Sequence, residues 1–263
     1  AVGIREMAKY DNAKDASIPF TATTTGATST TLFSGTGIVI WNSKVFAPGG
    51  NVTIHGNASS TSYDGSVHLL STSTWSGSGT ESYSLAGSLF ADSAASVAPA
   101  NSTFTFTATT SGKSIAATNS LTFYNLSFSG AAGGWTTTGV ATTSNDLAIS
   151  AGTVTLPSTT LYVGGSFNNS GGTFVANGGT VQFTATASGK NVRTGSSAFW
   201  NTLFSGAGGG WTYLDTNSTT SGTTTVTAGA LTLPSGVFAE GRSFDIQGGT
   251  VSANGGTLKM IAT

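Results

Sequence analysis

The chain has 263 residues, room for one long domain or for two to three small ones. Only 7 % are charged, nine Lys and Arg against ten Asp and Glu, where ordinary soluble domains carry roughly 25 %. A net charge of −1 supplies no basic stripe for phosphates, which argues against a nucleic-acid partner, and 15 Phe with 5 Trp argue against disorder.

Other absences narrow the class. There is no cysteine, so no disulfide and no thiol chemistry. A large secreted β protein needs neither, because its core is big enough without a bridge. No run of about 18 apolar residues could span a bilayer. Ala1 reads as a mature terminus left by cleavage, and the expected location is extracellular or on a cell surface. A nearly uncharged surface also repels its own copies weakly, which permits self-association.

In chain order, residues 1–19 come first. Arg5, Glu6, Lys9, Asp11, Lys14 and Asp15 concentrate charge here, and Ile4, Met7 and Ala8 share one face of a short helix. The segment is read either as a cap on a stack of repeats or as an arm that docks on a neighbouring molecule. Three copies of one repeat follow, at 20–105, 106–182 and 183–259, and residues 260–263 fall at the start of a fourth. Phe106-Thr107-Ala108-Thr109-Thr110-Ser111-Gly112-Lys113 returns 77 positions later as Phe183-Thr184-Ala185-Thr186-Ala187-Ser188-Gly189-Lys190. Leu156-Pro157-Ser158 returns as Leu233-Pro234-Ser235, and Ala176-Asn177-Gly178-Gly179-Thr180 as Ala253-Asn254-Gly255-Gly256-Thr257. The first copy is diverged and lengthened, but its Thr31-Leu32-Phe33-Ser34-Gly35 is identical to residues 202–206.

Within the copies, large residues alternate with threonine, as in Thr103-Phe104-Thr105-Phe106, which is the period of a half-buried strand. The same inward pair recurs as Ile18/Phe20, Phe104/Phe106, Val181/Phe183 and Leu258/Met260. Strands are short and end in Gly-Gly or Asn-Gly pairs, which supply the positive φ of tight corners. The predicted fold is therefore all-β. Two architectures fit: a β-solenoid in which coils stack, and tandem β-sandwich domains of one copy each. Short strands, many glycine corners and no Pro-rich linker favour the solenoid.

Candidate chemistry is sparse. His55 and His68 lie in the lengthened first copy near Asp64 and Glu81, without zinc spacing. Asp64, Asp92, Asp146, Asp215 and Asp245 are scattered singly, so neither a calcium loop nor a facing carboxylate pair is indicated. No Gly-x-Ser-x-Gly elbow or phosphate loop is present. The chain is thus expected not to be an enzyme and to use no cofactor and no metal. Tyr124/Trp200 and Trp135/Trp211 occupy equivalent places in copies two and three. They are read either as packing aromatics or as a platform stacking on sugar rings. Outward Thr-x-Thr runs at Thr21/Thr23/Thr25 and Thr223/Thr225/Thr227 suggest a flat hydroxyl array of the kind found on ice-binding solenoids. Asn-x-Ser/Thr sequons begin at Asn51, Asn57, Asn101, Asn125, Asn168 and Asn217.

The phrases Phe123-Tyr124-Asn125-Leu126-Ser127-Phe128-Ser129-Gly130, Gly134-Trp135-Thr136 and Ala148-Ile149-Ser150-Ala151-Gly152-Thr153-Val154 resemble repeats of large bacterial cell-surface proteins, adhesin-like and surface-layer-like. The resemblance covers copies two and three and implies an extracellular structural or adhesive role. The expected function is a secreted subunit of a filament or surface layer, polymerising head to tail with itself. Ile4, Met7, Ile18 and Phe20 at one end, and Leu258, Met260 and Ile261 at the other, are the expected contacts. The alternative is a cell-surface or viral adhesin that binds glycans through Tyr124, Trp135, Trp200 and Trp211.

Overall fold

The computed structural model describes residues 66–261 except 71–73, 77–78, 99, 119–120 and 139–140, together with strand residues 22–23, 29–34, 38–41, 44–46 and 51–56. The proposed N-terminal helix, with Ile4, Met7, Ile18 and Phe20, lies outside the described residues.

The fold is a β-solenoid. Among the described residues, thirty-three strands run from β1 (Ala22–Thr23) to β33 (Thr257–Met260), and each pairs in parallel with the strand three further along, apart from two breaks. Three strands therefore make one coil, and the stacked coils form a three-faced prism. The second face is one unbroken sheet of eleven strands, from β2 (Ser29–Ser34) to β32 (Thr250–Ser252). It crosses both copy boundaries, which rules out the tandem-sandwich alternative.

Alternation builds the interior as the sequence predicts. In β11 (Thr103–Phe106) both Phe side chains are fully buried while the threonines are half-buried. Parallel in-register pairing then places each inward residue over its counterpart one rung away, about 4.8 Å distant. Phe123, Thr143, Val163, Phe183, Phe204, Val226 and Ile246 form one such column down the first face. Phe183 and Phe204 stack at 4.6 Å between ring centroids, and Phe106 and Phe128 at 5.5 Å.

The repeat and the coil are different units. The opening strands of the second, third and incipient fourth copies are β11, β22 (Thr180–Phe183) and β33. The second and third copies thus contain eleven strands each, β11 to β21 and β22 to β32, which at three per coil is three and two-thirds coils. β11 lies on the second face, β22 on the first and β33 on the third. The two breaks follow the same count. One falls on the first face between β10 (Ser96–Ala98) and β13 (Leu121–Phe123). The other falls on the third face between β21 (Thr173–Val175) and β24 (Ala198–Phe199), eleven strands later.

Corners require particular residues. Asn177 and Gly178 have φ of 51° and 74°, and Asn254 and Gly255 repeat this with 50° and 77°. That left-handed pair is open to Asn and Gly at low cost. Gly130 and Gly206 serve close approach instead: an added Cβ would sit 1.6 Å from the Ala108 carbonyl oxygen or 1.8 Å from that of Ala185. Neither oxygen can retreat without opening the rung beneath. Gly206→Ala is therefore expected to cost about 1–3 kcal/mol, whereas Gly79→Ala, with nothing within 4 Å of its Cβ, should stay within about 0.5 kcal/mol of the parent. Thermal denaturation followed by far-UV circular dichroism compares the two.

Candidate functional site

The aromatic residues singled out in the sequence do not form one surface. Trp135 and Trp211 are each 1 % exposed and pack on Phe128 and Phe204 at 5.2 and 5.3 Å. They belong to the core, and their sugar-stacking assignment is corrected: no ligand ring can reach an indole covered on both faces. Tyr124 and Trp200 do lie at the surface, Tyr124 half-buried and Trp200 36 % exposed. Tyr124 sits on the edge between the first and second faces, just before β14 (Asn125–Phe128). Trp200 sits on the edge between the third and first faces, just before β25 (Asn201–Phe204). Eleven strands per copy has turned the equivalent position onto another edge.

Other sequence candidates are also dispersed. His55 and His68 belong to β5 (Asn51–Gly56) on the second face and β6 (Val67–Leu70) on the third. Among the described residues no cluster of three or more His, Cys, Asp or Glu side chains could hold a metal. Two sequon asparagines are structural: the amide oxygens of Asn125 and Asn217 accept backbone N–H bonds from Asp146 at 3.3 Å and from Val237 at 2.8 Å, each one rung on. The outward column Thr142, Tyr162, Gln182, Leu203, Thr225, Asp245, which holds one member of the expected threonine array, mixes sizes and polarities; Thr21 and Thr25 lie outside the described residues. Of the proposed C-terminal contacts, Leu258 and Met260 are 41 % and 52 % exposed on β33.

The edge that carries Trp200 holds the most unusual chemistry in the structure. Outside, the Arg242 guanidinium lies 5.4 Å from the Trp200 ring centroid. Gly222 occupies the rung between them, its N–H donating to the Trp200 carbonyl and its carbonyl accepting from the Arg242 N–H. Inside the same edge, at the end of β30 (Val237–Glu240), Glu240 points into the solenoid and is 0 % exposed. It stacks in register on Thr220 of β27 (Ser218–Thr220) and faces Thr224 of β28 (Thr223–Val226) across the corner.

Thr202, Thr224 and Thr220 form a buried hydroxyl chain, with oxygen separations of 2.9 and 3.2 Å. Neither carboxylate oxygen of Glu240 closes a full hydrogen bond; the donors that face it, the Thr224 hydroxyl and N–H and the Arg242 N–H, engage it only weakly, and the nearby Tyr213 hydroxyl is also buried and unpartnered. A buried carboxylate so poorly served by donors is disfavoured in its charged form. Burial pushes the Glu240 carboxyl from 4.5 up to about 7, opposed in part by Thr224 and the Arg242 backbone, while Asp245 adds to the rise. Burial likewise raises the Tyr213 phenol, helped by the charges of Glu240 and Asp215.

The sequence reading missed Glu240, although the repeat contained the signal. Position 163 of copy two is Val, 147 is Leu and 126 is Leu; their counterparts in copy three are Glu240, Thr224 and Thr202. In copy two these apolar residues are buried at 0 %, 1 % and 2 % exposure. Three apolar residues beside Thr143 have become oxygen-bearing ones beside Thr220, at the same place in the repeat. No family model, curated protein or solved structure matches the chain.

Because the folded-state value for Glu240 is the higher one, the folded chain keeps a proton that the unfolded chain releases between pH 4.5 and about 7. Stability is full below that window, falls as pH rises through it and stays low above it. The displacement from 4.5 to about 7 corresponds to a loss on the order of 3 kcal/mol. Thermal unfolding at pH 5 and pH 8, with only bulky organic cations in the buffer, should show this loss, and Glu240→Gln should remove most of it.

Proposed function

We propose that the chain is a secreted structural protein whose solenoid builds an extracellular filament or surface layer. The observation that carries the reading is the unbroken eleven-stranded parallel sheet over a continuous apolar interior. Such a stack is a stiff element, extended by adding rungs rather than by adding domains. A 7 % charged composition favours close lateral or axial packing, and the absence of cysteine suits a secreted protein whose core needs no bridge. The resemblance of copies two and three to bacterial surface repeats points the same way. This reading assigns the chain no catalysis and no cofactor.

Head-to-tail addition has a defined chemistry. Ile246, Leu258 and Met260 occupy columns whose residues one rung below, Val226, Phe238 and Glu240, are buried, yet they are 56 %, 41 % and 52 % exposed. A further rung on β31 (Ser243–Ile246), β32 and β33 would cover them and pair their edges with main-chain hydrogen bonds. In this reading the opening rungs of the next molecule supply it, a heterologous contact that propagates as a filament. Electron microscopy across a concentration series should show filaments of one axial repeat. Deleting residues 1–15, or everything after Thr257, should abolish them without loss of the β circular dichroism signal; filaments from both truncations would refute the contact.

The second reading, a surface adhesin for glycans, rests on Trp200 with Arg242 stacked over it. Retention on a glycan array that disappears in Trp200→Ala, in a chain that stays dispersed, would replace the first reading by this one.

A further inference from the structure

The interior of the edge between the third and first faces has a composition that packing alone does not require. Copy two builds the equivalent edge, which there lies between the first and second faces, with Val163, Leu147 and Leu126 beside Thr143, all of them buried. Copy three keeps the threonine as Thr220 and replaces the three apolar residues with Glu240, Thr224 and Thr202; Thr202 meets Thr224 at 2.9 Å, and Thr224 meets Thr220 at 3.2 Å. An isolated acid at position 240 would have met only apolar neighbours. Instead, the residue beneath it and the one across the corner are the hydroxyls Thr220 and Thr224, with Met260 above.

We propose that this cluster is a binding site for a small monovalent cation of the sodium class, held by the Glu240 carboxylate with the hydroxyls of Thr220 and Thr224. Three observations converge on it. Both carboxylate oxygens and the Tyr213 hydroxyl are buried and close no full hydrogen bond, the Thr224 and Arg242 donors near the carboxylate engaging it only weakly, so the cluster has acceptor capacity to spare and no nitrogen donor among its side chains. Oxygen-only sites select hard cations, and a single carboxylate matches one positive charge, whereas divalent sites gather several carboxylates. The nearest basic group does not supply that charge, because the Arg242 guanidinium is engaged over Trp200 on the outside of the edge.

Another buried acid shows the contrast. Glu81, 1 % exposed, accepts the Gly79 backbone N–H at 3.0 Å. Glu240 closes no such full hydrogen bond, the Thr224 and Arg242 N–H groups engaging it only weakly, and the charged side chain that acts on it, Asp245 on β31, is itself negative. A cation offsets this repulsion, and a proton competes with it for the same oxygens.

The test uses the full chain. Thermal unfolding at pH 8 is followed in sodium chloride and in tetramethylammonium chloride at matched ionic strength, with the sodium NMR linewidth as a second readout. In the wild type, each tenfold rise in sodium above the dissociation constant should raise the folded-to-unfolded ratio about tenfold. The organic salt should have no such effect, and the difference should shrink at pH 5. Sodium broadening should be present in the wild type and absent in Glu240→Gln. The triple substitution Thr202→Leu, Thr224→Leu and Glu240→Val restores the packing of copy two, so it should fold and show no sodium dependence. Identical stability of the wild type in the two salts at pH 8, as for a cluster holding only water, would overturn the proposal. So would sodium dependence that survives in both variants.

Discussion

Everything in this molecule depends on parallel strands stacking in register. Each coil sets its residues directly over those of the coil beneath, about 4.8 Å away, so the interior is a bundle of columns in which neighbours must suit each other. Aromatic columns satisfy this by ring stacking, as in Phe183 on Phe204. A polar residue satisfies it only if the residue above, below or across the corner is polar as well. Thr143, alone between Phe123 and Val163, keeps a buried hydroxyl without a partner, whereas Thr202, Thr220 and Thr224 bond one another beside Glu240.

The same constraint explains the glycines and the uncharged composition. Coils that approach this closely leave no room for a Cβ where one corner passes over another, as at Gly130 above Ala108 and Gly206 above Ala185. Side chains on the outer faces stand in columns too, and a column of like charges one rung apart would repel along its whole length. Threonine, serine and asparagine avoid that repulsion while bonding from rung to rung, as Asn201 does to the Thr223 backbone at 2.9 Å. Low charge is therefore as much a requirement of the stack as an invitation to self-association.

Much of this was legible in the sequence. The Thr-Phe alternation of residues 103–106 marks an inward pair that the structure buries, and Asn177-Gly178 marks a corner that takes a left-handed backbone. The repeat boundaries were visible from identity alone. The face on which each copy opens was not, because that depends on counting eleven strands modulo three, and several strands are only two or three residues long. Equivalence in sequence therefore left two readings for Trp135 and Trp211, packing between copies or a shared sugar-stacking surface. In fact both are core, while Tyr124 and Trp200 occupy different edges. Glu240 was hidden for a related reason: its meaning lies in the contrast with Val163, not in any spacing of acids.

The fractional coil count has a consequence for long-range form. Because a copy closes two-thirds of a coil past a whole number, each successive copy is turned by one face relative to the last. Three copies of eleven strands each would bring the pattern back to its starting face after eleven coils, which at the rung spacing is roughly 50 Å along the axis. Any feature that a copy carries once is thus wound around the rod like the thread of a screw. An array of identical copies would have no front and no back, and would offer the same marks to its surroundings from every side.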